Sequence, residues 1–206
     1  TETIGDVDKL EPFYEYQLHC KNHQISLKSF TQKTHKTLTD TSDKFIETIL
    51  EKTKLPIEDR RDVKVITIDP TDCLDFDDGF GIIPIIVDSI QIGWTVSVYI
   101  SNVFFWLETL ELWNDMTDRV STIYLPDKKR PMLPLVLSDI LCSLQQKQLR
   151  VALAMDVRID MFGKRMPEPD SVQYKNVLIS VSKNYAYDDP QLSTKNNTYK
   201  DLFIIS

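Results

Sequence analysis

Apolar positions along this 206-residue chain recur with two periods, and the change from one to the other divides it. Over the first sixty residues the spacing is helical. Val7, Leu10, Tyr14 and Leu18 fall three or four apart, with Asp6 placed to cap and Pro12 close to the start. A polar Lys/Thr/Ser stretch, Lys28 to Asp43, leads to a second helix over 42–54, where Phe45, Ile46, Ile49 and Leu50 share a face and Pro56 ends the run. Glu58-Asp59-Arg60-Arg61-Asp62 reads as a charged, solvated bend. Beyond it the period shortens to two. Val63, Val65, Ile66 and Ile68 make a β-branched run. Phe80–Val87 and Gln91–Ile100 make a hairpin around Asp88-Ser89, with Ile92, Trp94, Val96, Val98 and Ile100 pointing one way. A helix over Phe104 to Met116 is expected to bury Leu107, Leu110, Trp113 and Trp106. Ser121–Leu125 reads as a short strand. Pro134 opens a helix carrying Leu135, Leu137, Ile140, Leu141 and Leu144. Strands follow at Val151–Asp160 and around Val177–Val181, and the pattern stops in the apolar run Leu202 to Ile205. This predicts an α+β fold, a mixed or antiparallel sheet flanked by helices. Residues 1–60 form a helical connecting segment and 61–206 the main domain.

Composition narrows the function classes. Hydrophobic content of 42%, with three Trp, nine Phe and eight Tyr, suffices for a real core. A net charge of −7 argues against a free-standing nucleic-acid binder, since phosphate binding leaves a basic footprint. Cys20, Cys73 and Cys142 are sparse and odd in number, which favours reduced thiols in a cytoplasmic, reducing compartment. His19-Cys20-x-x-His23 lacks the second ligand pair that zinc needs. The longest apolar run, Phe80 to Val87, is interrupted by Pro84 and too short to span a bilayer, so no membrane partner is expected.

One stretch carries candidate chemistry. The β-branched run delivers Asp69 at its end, Pro70 turns the chain, and Asp72, Asp75, Asp77 and Asp78 follow. Two carboxylates about 5 Å apart at an effective dielectric of about 20 repel by roughly 3 kcal/mol. Such a cluster must fan out into water, protonate or share a cation. A solvated acidic turn is the plain reading. Against it, Leu74 and Phe76 alternate with Asp75 and Asp77, so the apolar pair faces one way and the acids the other. That pattern favours acids converging on a hard, oxygen-loving ion such as Mg²⁺ or Mn²⁺. Acids holding Mg²⁺ are the apparatus of phosphoryl transfer. Spacing alone leaves nuclease, polymerase, phosphatase and structural calcium site open, although the EF-hand pattern is absent.

Thr67-Ile68-Asp69-Pro70 followed by Asp75-x-Asp77-Asp78 resembles the catalytic signature of the ribonuclease II (RNB) family. Further strings resemble that family in the same order. They are Arg60-Arg61-Asp62 at the entry, Val98-Tyr99-Ile100-Ser101-Asn102-Val103, and Arg119-Val120-Ser121-Thr122-Ile123-Tyr124-Leu125-Pro126, with Val120 in place of a glycine. Pro131-Met132-Leu133-Pro134 and Leu137-Ser138-x-x-Leu141-Cys142-Ser143-Leu144 complete the series. The resemblance implies the N-terminal portion of an RNB-type catalytic domain. Asp69, Asp75, Asp77 and Asp78 would be its catalytic acids, with Asp69, Asp75 and Asp78 holding Mg²⁺ (or Mn²⁺). Tyr124 would stack on a base near the RNA 3′ end and Arg119 would contact RNA, whereas Asp72 has no such role. The implied activity is 3′-to-5′ exoribonuclease hydrolysis of single-stranded RNA to nucleoside 5′-monophosphates, with Asp77 the acid whose loss abolishes chemistry. The C-terminal half of the RNB domain and the cold-shock and S1 domains would come from the same or another chain. The alternative is a catalytically silent RNB-like module for RNA binding or assembly.

Overall fold

The period-two stretch folds as the expected hairpin, β3 (Asp78–Val87) and β4 (Ile90–Ser101), joined at Asp88 (φ 50°) and Ser89 (φ 66°). Two left-handed residues in a two-residue loop give the turn whose twist matches that of the strands. The buried face of β4 is the polar and small one: Gly93, Ser97 and Tyr99 are buried, whereas Ile92 and Ile100 are 38% and 51% exposed. Sheet closure explains this. The computed structural model describes residues 4–6, 8–21, 30–73, 75–116, 121–195 and 199–200. Among these, β1 (Glu58–Asp59), β2 (Val65–Asp69), β7 (Leu149–Asp160) and β8 (Val172–Ala186) join the hairpin in the order β1-β8-β2-β3-β4-β7, and β7 pairs back onto β8. The β2–β8 and β1–β8 pairs are parallel and the rest antiparallel. Five strands thus close on themselves, and a ring that small leaves a narrow interior. Tyr99, Ala152, Ala154 and Val177 fill it, with Gly79 and Gly81 opposite.

The solvated bend expected at 58–62 is not what forms. Arg60 is 5% exposed and grips Asp156 with Nη1 and Nη2 at 2.8 and 2.6 Å, while its Nε donates to Glu58 at 2.7 Å. Ser97 Oγ donates to the same Asp156 carboxylate at 2.7 Å. A buried guanidinium survives only when paired in this way. The partner lies 96 positions along the chain, beyond any local pattern.

Helices cover one flank. α1 (Leu10–Cys20) starts after Lys9 without a side-chain cap, so Asp6 does not cap it; Pro12 sits in the first turn, where no amide hydrogen is required. The polar stretch contains a short helix, α2 (Gln32–Thr37), capped by Thr31. α3 (Asp43–Lys52) is capped by Ser42 and buries Ile46 and Ile49. The single helix expected over 104–116 is two, α4 (Val103–Thr109) and α5 (Trp113–Met116), separated at Glu111 (φ 53°). Trp106 and Leu107 are buried as expected, but Trp113 is 42% exposed. A two-stranded ribbon, β5 (Ile123–Tyr124) with β6 (Lys129–Arg130), precedes a π-helical segment, Val136–Leu141. The helical core joins Ile46, Ile49, Phe105, Trp106, Leu137 and Leu141 to Val151 and Leu178 of the barrel wall. A last helix, α6 (Pro190–Lys195), places Leu192 against Ile66 and Tyr185. Val7, His23, Leu74, Arg119, Val120 and residues 202–205 lie outside the described residues.

Candidate active site

The acids gather where β2 ends and β3 begins. Asp69 is the last residue of β2, opposite Ala186 of β8, and its carbonyl accepts from Tyr187 N at 3.0 Å. Pro70 then turns the chain, with Cys73 N donating to Pro70 O at 3.0 Å. The return is fixed through its backbone. Phe76 N donates to Ser143 Oγ at 3.1 Å, Leu144 N to Phe76 O at 2.8 Å, and Ser101 N to Asp77 O at 3.0 Å. Phe76 packs against the barrel interior, as its alternation with the acids predicts, while Asp75, Asp77 and Asp78 keep exposed side chains, the carboxyls of Asp75 and Asp77 being partly desolvated by the surrounding chain. Gly79 makes the close approach possible: a Cβ there would stand 3.1 Å from Ile66 O and 3.2 Å from Val65 Cγ1.

The carboxyls act on one another. Burial raises the Asp69 carboxyl, and Asp78 and Asp77 raise it further, against a partial offset from the Thr67 hydroxyl. Burial also raises Asp75, helped by Asp77 and Asp139 and opposed by Lys129. Burial and then Asp78 raise Asp77. Asp69 is 9% exposed, and its Oδ2 is buried with no hydrogen-bond partner among the described residues. An orphaned buried carboxylate oxygen amid mutually repelling acids fits a hard divalent cation. Among the described residues, no three His, Cys, Asp or Glu side chains stand ready in coordinating geometry.

Residues 57–201 match the family model of the RNB domain, well over half the chain. This chain belongs to the RNB family. An Exoribonuclease 2 of Mannheimia succiniciproducens is 36% identical over 124 residues, 57% of this chain and 19% of that protein. In fold, the whole chain overlays 31% of Mycoplasma genitalium RNase R, solved with ribose-methylated single-stranded RNA, at TM-score 0.68 and 21% identity. Yeast Ssd1, described as a pseudonuclease, overlays the whole chain at TM-score 0.64 and 14% identity, with 25% of its own length covered. The chain therefore spans a fifth to a third of the length of these relatives.

Within this RNB chain the other named residues are placed as follows. Tyr124 stands on β5, 79% exposed, and Asp72 is exposed. Asn102 caps α4, accepting from Phe105 N at 2.9 Å. Behind the acids lies the segment after the π-helix. Cys142 is buried, and burial pushes its thiol up to about 12, with Arg150 opposing and Asp75 and Asp77 adding. Arg150, 1% exposed, holds that segment by donating from Nε to Ser143 O at 2.6 Å. The sequence alone assigned no role to Ser143, Arg150, Lys129 or Asp139, although Ser143 lies in the family-like string ending at Leu144 and Lys129 in a run of three basic residues, 128–130, whose significance appears once β6 is known to be a strand.

Proposed function

We propose that this chain carries the acidic core of a 3′-to-5′ exoribonuclease that hydrolyses single-stranded RNA to nucleoside 5′-monophosphates, working as part of a longer nuclease. The supporting observation is the acid cluster itself, with Asp69 Oδ2 buried and unpartnered and three carboxyls raised by burial and each other's charge. Family membership narrows the open choice among phosphoryl-transfer chemistries to RNA hydrolysis. Asp69, Asp75 and Asp78 would hold Mg²⁺, with Mn²⁺ as a substitute. Bound there, the ion supplies Lewis acidity toward the phosphodiester. Asp77 keeps its backbone anchored by Ser101 while its carboxylate faces water, which suits it to the reaction rather than to the fold. Tyr124 would offer its exposed ring to a base near the 3′ end, and Arg119 a cationic contact. Residues 1–60 are read as the connecting segment and 61–206 as the N-terminal half of the catalytic domain. The rest of the RNB domain and any cold-shock and S1 domains come from elsewhere in the same or another chain. Three free cysteines suit a reducing, cytoplasmic setting, and no described helix is long and apolar enough to cross a membrane.

The fold likeness to Ssd1 favours a second reading, a silent RNA-binding or assembly module. Four acids within one turn, whose charges act on one another, oppose it. The test is degradation of a 5′-labelled single-stranded RNA in Mg²⁺ by the longest available form of the protein, beside its Asp77→Asn variant. A ladder shortening from the 3′ end with the unmodified protein alone supports the nuclease. RNA binding without a ladder supports the silent module.

A further inference from the structure

Strand alternation divides the basic triplet between two partners. Lys128 and Arg130 both turn to α1: Lys128 Nζ bonds Glu11, and Arg130 bonds Glu11 at 3.0 Å and also Glu15. With Tyr14 donating to Asp127 Oδ1 at 2.9 Å, these contacts fasten the ribbon to the helix. Lys129 lies between them and points the other way, as a period of two requires. Its Nζ reaches Asp139 of the π-helical segment at 3.1 Å. Asp139 is itself fixed, its carbonyl accepting from Gln145 Nε2 at 2.9 Å. A few residues on, Ser143 and Leu144 bond the backbone of Phe76, between Asp75 and Asp77. Lys129 is also the direct cross-strand partner of Tyr124, so the two side chains leave the same face of the ribbon as neighbours. The exposed ring and the ammonium therefore stand together, and the charge of Lys129 acts on Asp75.

We propose that Lys129 binds the backbone phosphate of the nucleotide whose base lies on Tyr124, with Asp139 positioning its ammonium. The inference rests on the nuclease reading above and deepens it by naming a second contact to the same nucleotide. A base held by stacking alone can slide along the ring; a phosphate contact one strand away sets its distance from the acids. Lys129 is also a movable charge in an acid-rich site, able to exchange Asp139 for phosphate without leaving a buried ion unpaired, since it is 41% exposed.

The test uses the longest available form of the protein carrying Asp77→Asn, which stops degradation, and single-stranded RNA with 2-aminopurine at its 3′ end. Fluorescence quenching reports stacking, and a salt titration counts phosphate contacts. Adding Lys129→Met is expected to weaken binding about 3- to 10-fold and lower the salt slope by about one contact, with Lys129→Arg restoring both. The decisive arm replaces each of the last three phosphodiesters in turn with a neutral methylphosphonate. One replacement should weaken binding by the unmodified Lys129 protein and leave the Lys129→Met protein unaffected. Equal losses for both proteins at every position overturn the contact. Quenching lost with Tyr124→Ala but unchanged with Lys129→Met overturns it while leaving the nuclease reading intact. No RNA binding by the Lys129 protein removes the nuclease reading, and this inference with it.

Discussion

At the residue scale the chain holds two kinds of buried charge, and they respond oppositely to pH. Burial pushes the Asp156 carboxyl up, but Arg60 and Ser97 more than offset this and hold it below the usual carboxylate range. Its stabilisation is therefore fully present above the ordinary aspartate pKa and is lost as pH falls through the lower folded value. Asp156→Asn leaves Arg60 buried without its counter-charge and should cost about 3–5 kcal/mol, read from urea unfolding. Asp69, Asp75 and Asp77 are raised on folding, so mild acidification from neutral pH should first stabilise the metal-free chain, before Asp156 protonates. Asp77→Asn should follow the same logic. It removes a repelling, exposed charge and should raise stability by a few tenths to about 1 kcal/mol in chelator while abolishing hydrolysis, measured by urea melts beside the RNA assay. The acids were legible in the sequence because one turn brings them together. Arg60 was not, because its meaning depends on a strand 96 residues away.

At the element scale, the local signals held where local chemistry decides. Ser42 caps α3, and Asp88-Ser89 makes the hairpin turn. The failures have physical causes. α2 shows no apolar stripe, so only its Thr31 cap announces it. The 104–116 pattern is helical throughout, yet the left-handed Glu111 breaks it while Leu107 and Leu112 stay buried. The hairpin's alternation was visible, but not which face turns inward, because closure of the sheet puts Gly93, Ser97 and Tyr99 in a lumen too narrow for larger rows. Gly93→Ala tests that geometry. Its Cβ would collide with the Ile159 carbonyl and meet Met166 Cε at 2.8 Å. It should destabilise the chain by about 1–3 kcal/mol or more. Gly81→Ala, which meets the Tyr99 ring at 3.1 Å, should cost less in the same urea titration.

At the scale of the whole molecule, the outward face of the hairpin is the odd feature. Phe80, Val98, Met155 and Tyr174 form one row across four strands, and Ile82, Val96, Val157 and Val172 the next. Ile100, Leu153 and Ile92 at its margins are 51%, 39% and 38% exposed, while at one end Phe80 packs against Ile66, Tyr185 and Leu192 of α6. A contiguous apolar sheet face of this kind marks a surface that another layer covers. The 206-residue chain alone should therefore enhance the fluorescence of an apolar dye under native conditions. Val96→Lys with Val98→Lys should lower that enhancement without unfolding the barrel, as circular dichroism would show. On the proposed nuclease reading, a net charge of −7 means that RNA binding would gain from basic surface outside these residues.

The most direct test of the central claim needs none of that missing surface. It is a Mn²⁺ titration of the 206-residue chain followed by electron paramagnetic resonance, beside its Asp69→Asn variant. Saturable loss of the free Mn²⁺ signal is expected, reversed by Mg²⁺, with affinity about tenfold or more weaker in the variant. Identical titrations for the two proteins would contradict the claim, leaving the acids a solvated turn.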